Sequence, residues 1–253
     1  MKLGTGTARD IRGVVQTVGG AFMTSSELAE VEAAAGLPER TLYVRGRSAV
    51  LGDVPPVVAA EVFGIFPKWL FELTLPAASA VLDAPGSVRA YVEGLARWSR
   101  NHLVDVESPA ELADLLLRVT NAADASGLVL FAGWRAVPTP TGDVERLGFA
   151  LMLFRELRGG LHFAALRASG LSVPDAVIVD PEGGRGRLLR TAWSAEDADA
   201  LIAAARPDAA ERWQTAETLT DTRVDELLAA ALSSVEIDDL ARRLASLGRS
   251  RRS

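Results

Sequence analysis

Histidine, glutamate and arginine are the side chains in this chain whose types and spacing first suggest chemistry. There are two histidines, and one of them, His162, lies in the stretch FRELRGGLHFAALRASGL (154–171). It follows the pair Arg155–Glu156 and sits just past Gly159–Gly160. A neutral imidazole can act as a general base or as a hydrogen-bond donor. A chain break at the two glycines, followed by a helix from Leu161 to Ser169, would place His162 in a first helical turn. The positive end of the helix dipole disfavours imidazolium there. Across so tight a turn, Arg155 and Glu156 approach the ring. The catalytic reading is therefore His162 with Glu156 and Arg155. The other readings are a polar cluster that locks the corner and the corner of a helix-turn-helix that reads DNA.

A second set of residues points to ligand binding. Arg45 and Arg47 flank Gly46 in a helical stretch that also carries Tyr43. A buried guanidinium needs a carboxylate, a carbonyl or an anionic ligand. Arg47 therefore reads either as half of an ion pair or as an anchor for a carboxylate or phosphate. Phe63, Phe66, Trp69 and Phe71 crowd near Pro67 and Pro76. They read as core, or as one wall of an apolar cavity. The candidate ligand-binding set is Arg47, Tyr43, Phe63, Phe66, Trp69 and Arg158. Trp98, Trp134 and Trp193 read as core or interface anchors.

Several chemistries are not expected. The chain has no cysteine, which removes disulfides, thiolate nucleophiles and thiolate metal ligands. His102 is remote from His162 and has Leu103 and Val104 beside it, so no metal site is expected. GTGTARD (4–10) follows no strand and leads to no Gly-Lys-Ser/Thr, and no Gly-x-Ser-x-Gly elbow occurs. No cofactor is expected. EGGRGR (182–187) reads as a mobile loop. The most apolar zone, 57–82, is interrupted by charges and two prolines, and a membrane span is not expected. The first residues lack the apolar core of a signal peptide, which fits a cytoplasmic protein. The basic residues are almost all arginine, which carries an actinobacterial flavour.

These residues need elements to hold them, and the elements read as helices. Of the 253 residues 49% are hydrophobic and 24% charged, enough for a packed core. TSSE (24–27) reads as a capping box with Thr24 as acceptor. SPAE (108–111) and SAED (194–197) repeat the device, and Leu112, Leu115, Leu116 and Val119 follow at helical spacing. TRVDELLAAALSSVEIDDLARRLASLG reads as a helix or helical hairpin, and RSRRS as a frayed tail. The fold class is all-α, with helix-turn-helix or degenerate winged-helix units in two packed halves, 1–135 and 143–253. The proline-rich segment 135–143 is the boundary.

Three stretches resemble the SalK-like family of actinobacterial proteins, which is classed among helix-turn-helix families. YVRGRSAVLG (43–52) matches with Gly46, Arg47, Leu51 and Gly52 in place. VVAAEVFGIFP (57–67) and RLGFALMLFRELRGGLHFAALRASGL (146–171) match in order, and TAWS and ETLTD follow. The resemblance implies helix-turn-helix architecture over nearly the whole chain. Family histidines are replaced here by Gly19 and Leu157, and a family aspartate by Gly160. The glycine-bearing hairpin that would form a wing is replaced by AARPDAAERWQTAETLTD.

Three functions remain open at this level. The first is a small-molecule-binding protein, in its catalytic version an enzyme of specialised metabolism. Its pocket would lie between the halves, with Arg47, Arg155, Glu156 and His162 as polar groups. The second is a DNA-binding regulator whose second helix is 161–169 or 172–180. The net charge of −6 and the acidic, apolar VPDAVIVDPE argue against nucleic acid as a partner. The third is a homodimeric interaction module without ligand, joined through the Ala/Leu-rich C-terminal helices.

Overall fold

The computed structural model describes residues 6–250, and every regular element among them is helical. In chain order the helices are α1 (Thr7–Val18), α2 (Ser26–Ala34), α3 (Leu42–Ser48), α4 (Pro56–Phe63), α5 (Lys68–Ser79), α6 (Ala84–His102) and α7 (Pro109–Ala122). They continue with α8 (Val129–Arg135), α9 (Asp143–Ala168), α10 (Val173–Val179), α11 (Gly184–Arg190), α12 (Ala195–Ala203), α13 (Ala209–Ala231) and α14 (Ser234–Ser250). The all-α class expected from the sequence is the one observed. The start of GTGTARD and the last three residues of the basic tail lie outside the described residues.

The sequence of α9 explains its place at the centre. Leu147, Gly148, Phe149, Ala150, Leu151, Met152, Leu153 and Phe154 are consecutive and all buried. More than two helical turns without a polar face can be covered only from all sides. Helices α1, α6, α7, α8 and α13 supply that cover. The main core runs from Ala8 to Leu247 and draws on residues before and after the 135–143 segment.

The expected corner at Gly159–Gly160 does not exist. Helix α9 passes through both glycines and ends only at Ser169, followed by Gly170 with φ +69°. Magnitudes explain why. Two helical glycines cost about 2 kcal/mol relative to alanine. The same helix buries Leu157 and Leu166 on either side of them, each worth about 2 kcal/mol. The flanking burial outweighs the weak spot, and His162 consequently sits inside a helix and not at its start.

The helix starts follow the expected chemistry with shifts. Ser25, not Thr24, caps α2 by accepting from the Leu28 amide. Ser108 precedes α7 without a side-chain cap bond, although Pro109 does take the first helical position. Ser194 caps α12 through the Asp197 amide as expected, and Ser172 with Asp175 forms a full capping box at α10. The segment 182–187, expected to be a loop, supplies the first residues of α11.

Two small three-helix units stand beside the core. In α3–α5, Val44, Ala59, Ala60, Phe63, Phe71 and Leu75 pack together. In α10–α12 the centre is Val177, Leu188 and Ala198. The units touch where Ile65, between α4 and α5, packs against the second unit, and the Trp193 indole donates to the Ile65 carbonyl at 3.0 Å. Helices α13 and α14 form a hairpin. Val224, Leu228, Leu240, Leu244 and Leu247 turn inward to the main core, while Leu219 and Val235 of the same helices are exposed. No helix among the described residues is long and apolar enough to cross a membrane.

An alanine side chain at Gly159 would meet nothing within 4 Å, whereas one at Gly160 would lie 3.1 Å from Leu128. Gly159→Ala is therefore expected to stabilise the protein by about 0.5–1 kcal/mol in urea unfolding. Gly160→Ala should gain less than that or lose stability. Equal gains at both positions would contradict the packing described.

Candidate functional site

The residues singled out by sequence fall into two polar clusters on α9 and one exposed helix elsewhere. Glu156, 3% exposed, is the first centre. Arg47 Nε and Nη2 each donate to it at 2.8 Å, a bidentate pair linking α3 to α9. Arg47 Nη1 donates to the Tyr43 hydroxyl at 3.3 Å, and the guanidinium lies 4.7 Å from the Phe63 ring centroid. Arg155 Nη1 is 3.5 Å from Glu156. The Arg47 backbone carbonyl accepts from the Trp134 indole at 3.2 Å.

Burial alone would push the Glu156 carboxyl up. The charge and hydrogen bonds of Arg47, with Arg155 beside it, outweigh burial and hold the carboxyl below its usual range. Burial drives the neighbouring Tyr91 phenol well above its ordinary value and keeps it neutral. Its hydroxyl and Arg155 Nε are buried without a hydrogen-bond partner.

Tyr43, Phe63, Phe66 and Phe71 form an aromatic cluster next to Arg47, with ring centroids 5.1–6.2 Å apart. Trp69 leaves this cluster and is 47% exposed. The structure thus brings Arg47, Tyr43, Phe63, Phe66, Arg155 and Glu156 together. It places His162 and Arg158 elsewhere.

His162 and Arg158 are one turn apart on α9 and face α13. His162 Nδ1 is 3.2 Å from Thr220 Oγ1 and 3.5 Å from Glu217. Arg158 donates to Glu217 at 2.8 Å, and Arg12 of α1 donates to Glu217 at 2.7 Å and to Asp221 at 3.2 Å. Three helices are therefore tied by alternating charges. Desolvation lowers the His162 pKa, and the Glu217 charge only partly opposes it. The sequence reasoning anticipated a neutral imidazole, but the cause is burial and not a helix terminus. Burial raises the Asp221 carboxyl against the pull of Arg158 and Arg12.

Glu217, Asp221 and Arg12 were missed as partners. A signal existed, because Glu217 and Asp221 stand four apart, as do Arg158 and His162. Two such ladders on facing helices align one above the other. His102 meets Glu27 at 3.0 Å, and the described residues include no group of three His, Asp or Glu suited to a metal.

The third feature is α11. Helices α10 and α11 are joined by the four residues 180–183, the length of a helix-turn-helix turn. A Cβ at Gly183 would lie 1.9 Å from the Val177 carbonyl oxygen, so only glycine permits so close a return. Leu188 anchors α11 in the core of the unit, while Arg185, Leu189 and Arg190 are exposed. Arg185 is paired bidentately with Asp199 at 2.6 and 3.1 Å, and Arg187 lies 3.8 Å from Asp180. The next helix, α12, exposes Glu196, Asp197 and Asp199.

A family model described as a helix-turn-helix family matches residues 8–252, and the chain belongs to that family. No curated protein and no solved structure matches the chain.

Breaking the buried pair from one side should be costly. Arg47→Met leaves Glu156 buried without its counter-charge, and a loss of about 3 kcal/mol is expected in urea unfolding. Adding Glu156→Leu should recover much of that loss, and a double variant as weak as the single would refute the pairing argument. His162 predicts a pH response. Its folded pKa lies below the ordinary 6.5, so the unfolded chain takes up the proton first as pH falls. Stability is full above pH 6.5 and declines as pH drops from there toward the folded value. His162→Gln should flatten that decline, and an unchanged slope between about pH 7 and 5 would rule it out.

Proposed function

We propose that the chain is a DNA-binding regulator of helix-turn-helix type and that α11 is the helix that meets DNA. The observation that carries this reading is the pair α10–α11, whose second helix bears Arg185, Arg187 and Arg190 and no acidic residue. In helix-turn-helix proteins the second helix enters the major groove with its first turns against base edges. The sequence-based objection to DNA rested on the net charge of −6, the replaced wing and VPDAVIVDPE as reader, and the last of these changes. That stretch forms α10 and the turn, the first half of the motif, and the basic GRGRLLR is the second.

The carboxylates near α11 set the affinity. Exposed ion pairs such as Arg185–Asp199 are worth about 0–1 kcal/mol. A phosphate can therefore take over the guanidinium at little cost. Acidic α12 is unsuited to the groove and keeps net attraction low. The binding is weak and strongly salt-dependent. Family membership supports the same reading, and so does the SalK-like resemblance.

The small-molecule reading loses its original geometry, because Arg47 and His162 belong to different clusters with protein partners of their own. Fluorescence anisotropy with a random-sequence duplex at low salt tests the DNA reading. Binding is expected, and Arg190→Ala, which removes an exposed arginine, should reduce the slope of log K against log salt by about 1. No binding at low salt, or an unchanged slope with Arg185, Arg187 and Arg190 all replaced by alanine, would sink it.

A further inference from the structure

Away from α11, an open cleft of about 510 Å³ lies between α7, α8, the segment after α8 and α9. That volume is in the range of small-molecule sites. Three guanidinium groups from three different helices line it: Arg118 of α7, Arg135 of α8 and Arg146 of α9. We infer that this cleft is a binding site for a small molecule carrying two or more anionic oxygens, of the carboxylate or phosphate class.

The electrostatics favour such a ligand. In a chain of net charge −6, the cleft gathers three guanidinium groups, offset by two carboxylates: Asp114 in its lining and Glu236, which pairs with Arg118 from outside it. Asp114 is 55% exposed and paired with Arg146, a contact that a better-placed oxyanion displaces at small cost. Arg118 is held in place by Glu236 and by the Ala231 carbonyl at 2.7 Å. Arg135 is oriented by the Ala123 carbonyl at 2.5 Å and by the Phe131 ring, 5.1 Å from its guanidinium carbon.

Neutral donors complete the set. Asn121 and Thr139 line the same cleft, and no hydrogen bond of either side chain to the described residues occurs. Planar forks already fixed by neighbours lose little entropy on binding, and charge-assisted bonds to oxyanions are the strong ones. Helices α7 and α9 pack against each other in the main core, so the cationic side chains stand on well-packed elements.

Isothermal titration with pyrophosphate and, separately, with citrate tests the inference and distinguishes the two oxygen chemistries. Saturable binding of at least one probe, one site per chain, is expected. Asn121→Asp places a negative charge in the cleft without breaking any bond of the fold. It should weaken binding about ten-fold or more. Arg146→Gln should do the same. Arg190→Ala on α11 should leave binding unchanged, which keeps this site separate from the proposed DNA contact. No saturable binding of either probe would overturn the inference. So would binding that survives both cleft variants, or binding that Arg190→Ala abolishes.

Discussion

Glu156 is a carboxylate on a helix that has no polar face for the two turns before it. A charge so placed can exist only if a cation comes to it, and Arg47 comes from α3, 109 residues earlier in the chain. That requirement positions α3 on α9. It also brings the aromatic cluster of α3–α5 to the central helix, since Arg47 carries Phe63 and Tyr43 with it. Replacing such a pair by apolar side chains is often neutral for stability. The pair fixes which turn of α3 lies against Glu156 on α9. The second polar cluster does the same for α1 and α13, with Glu217 shared between Arg12 and Arg158.

The apolar run of α9 was legible in the sequence, and so were the polar residues that matter on it. The break at Gly159–Gly160 was misread because local propensity was weighed without the burial on either side. Propensity speaks for about 1 kcal/mol per residue, and packing along a 26-residue helix speaks for much more. The assignment of Arg47 to a carboxylate or an anion was a true alternative in sequence. Choosing Glu156 required knowing which face of α9 meets α3, a tertiary fact that no local pattern contains. The α1–α9–α13 cluster was hidden for the same reason, although its two ladders of spacing four were present.

The functional reading turned on a similar shift of register. VPDAVIVDPE and GRGRLLR are separated only by Gly183, and under the proposed DNA reading the choice of second helix decides whether the surface it presents is acidic or basic. Glycines at 183, 184 and 186 made the arginine stretch look like a loop. In the structure Gly183 makes the tight turn, and Leu188 supplies the anchor that lets so short a helix persist. The three arginines of α11 on a small unit and the arginine-lined cleft on the main core are different kinds of surface, and the chain holds both.

The hydrogen bond from Trp193 to the Ile65 carbonyl has a bearing on how the molecule divides. A fragment that begins at Asp143 would contain the complete α10–α12 unit. It would also strand the indole N–H without its acceptor and uncover the apolar patch on which Ile65 rests. The unit that presents α11 is thus braced by a loop encoded some 130 residues upstream, 128 positions by the hydrogen bond itself. The orientation of α11 belongs to the intact polypeptide, and a minimal excised unit would not inherit it.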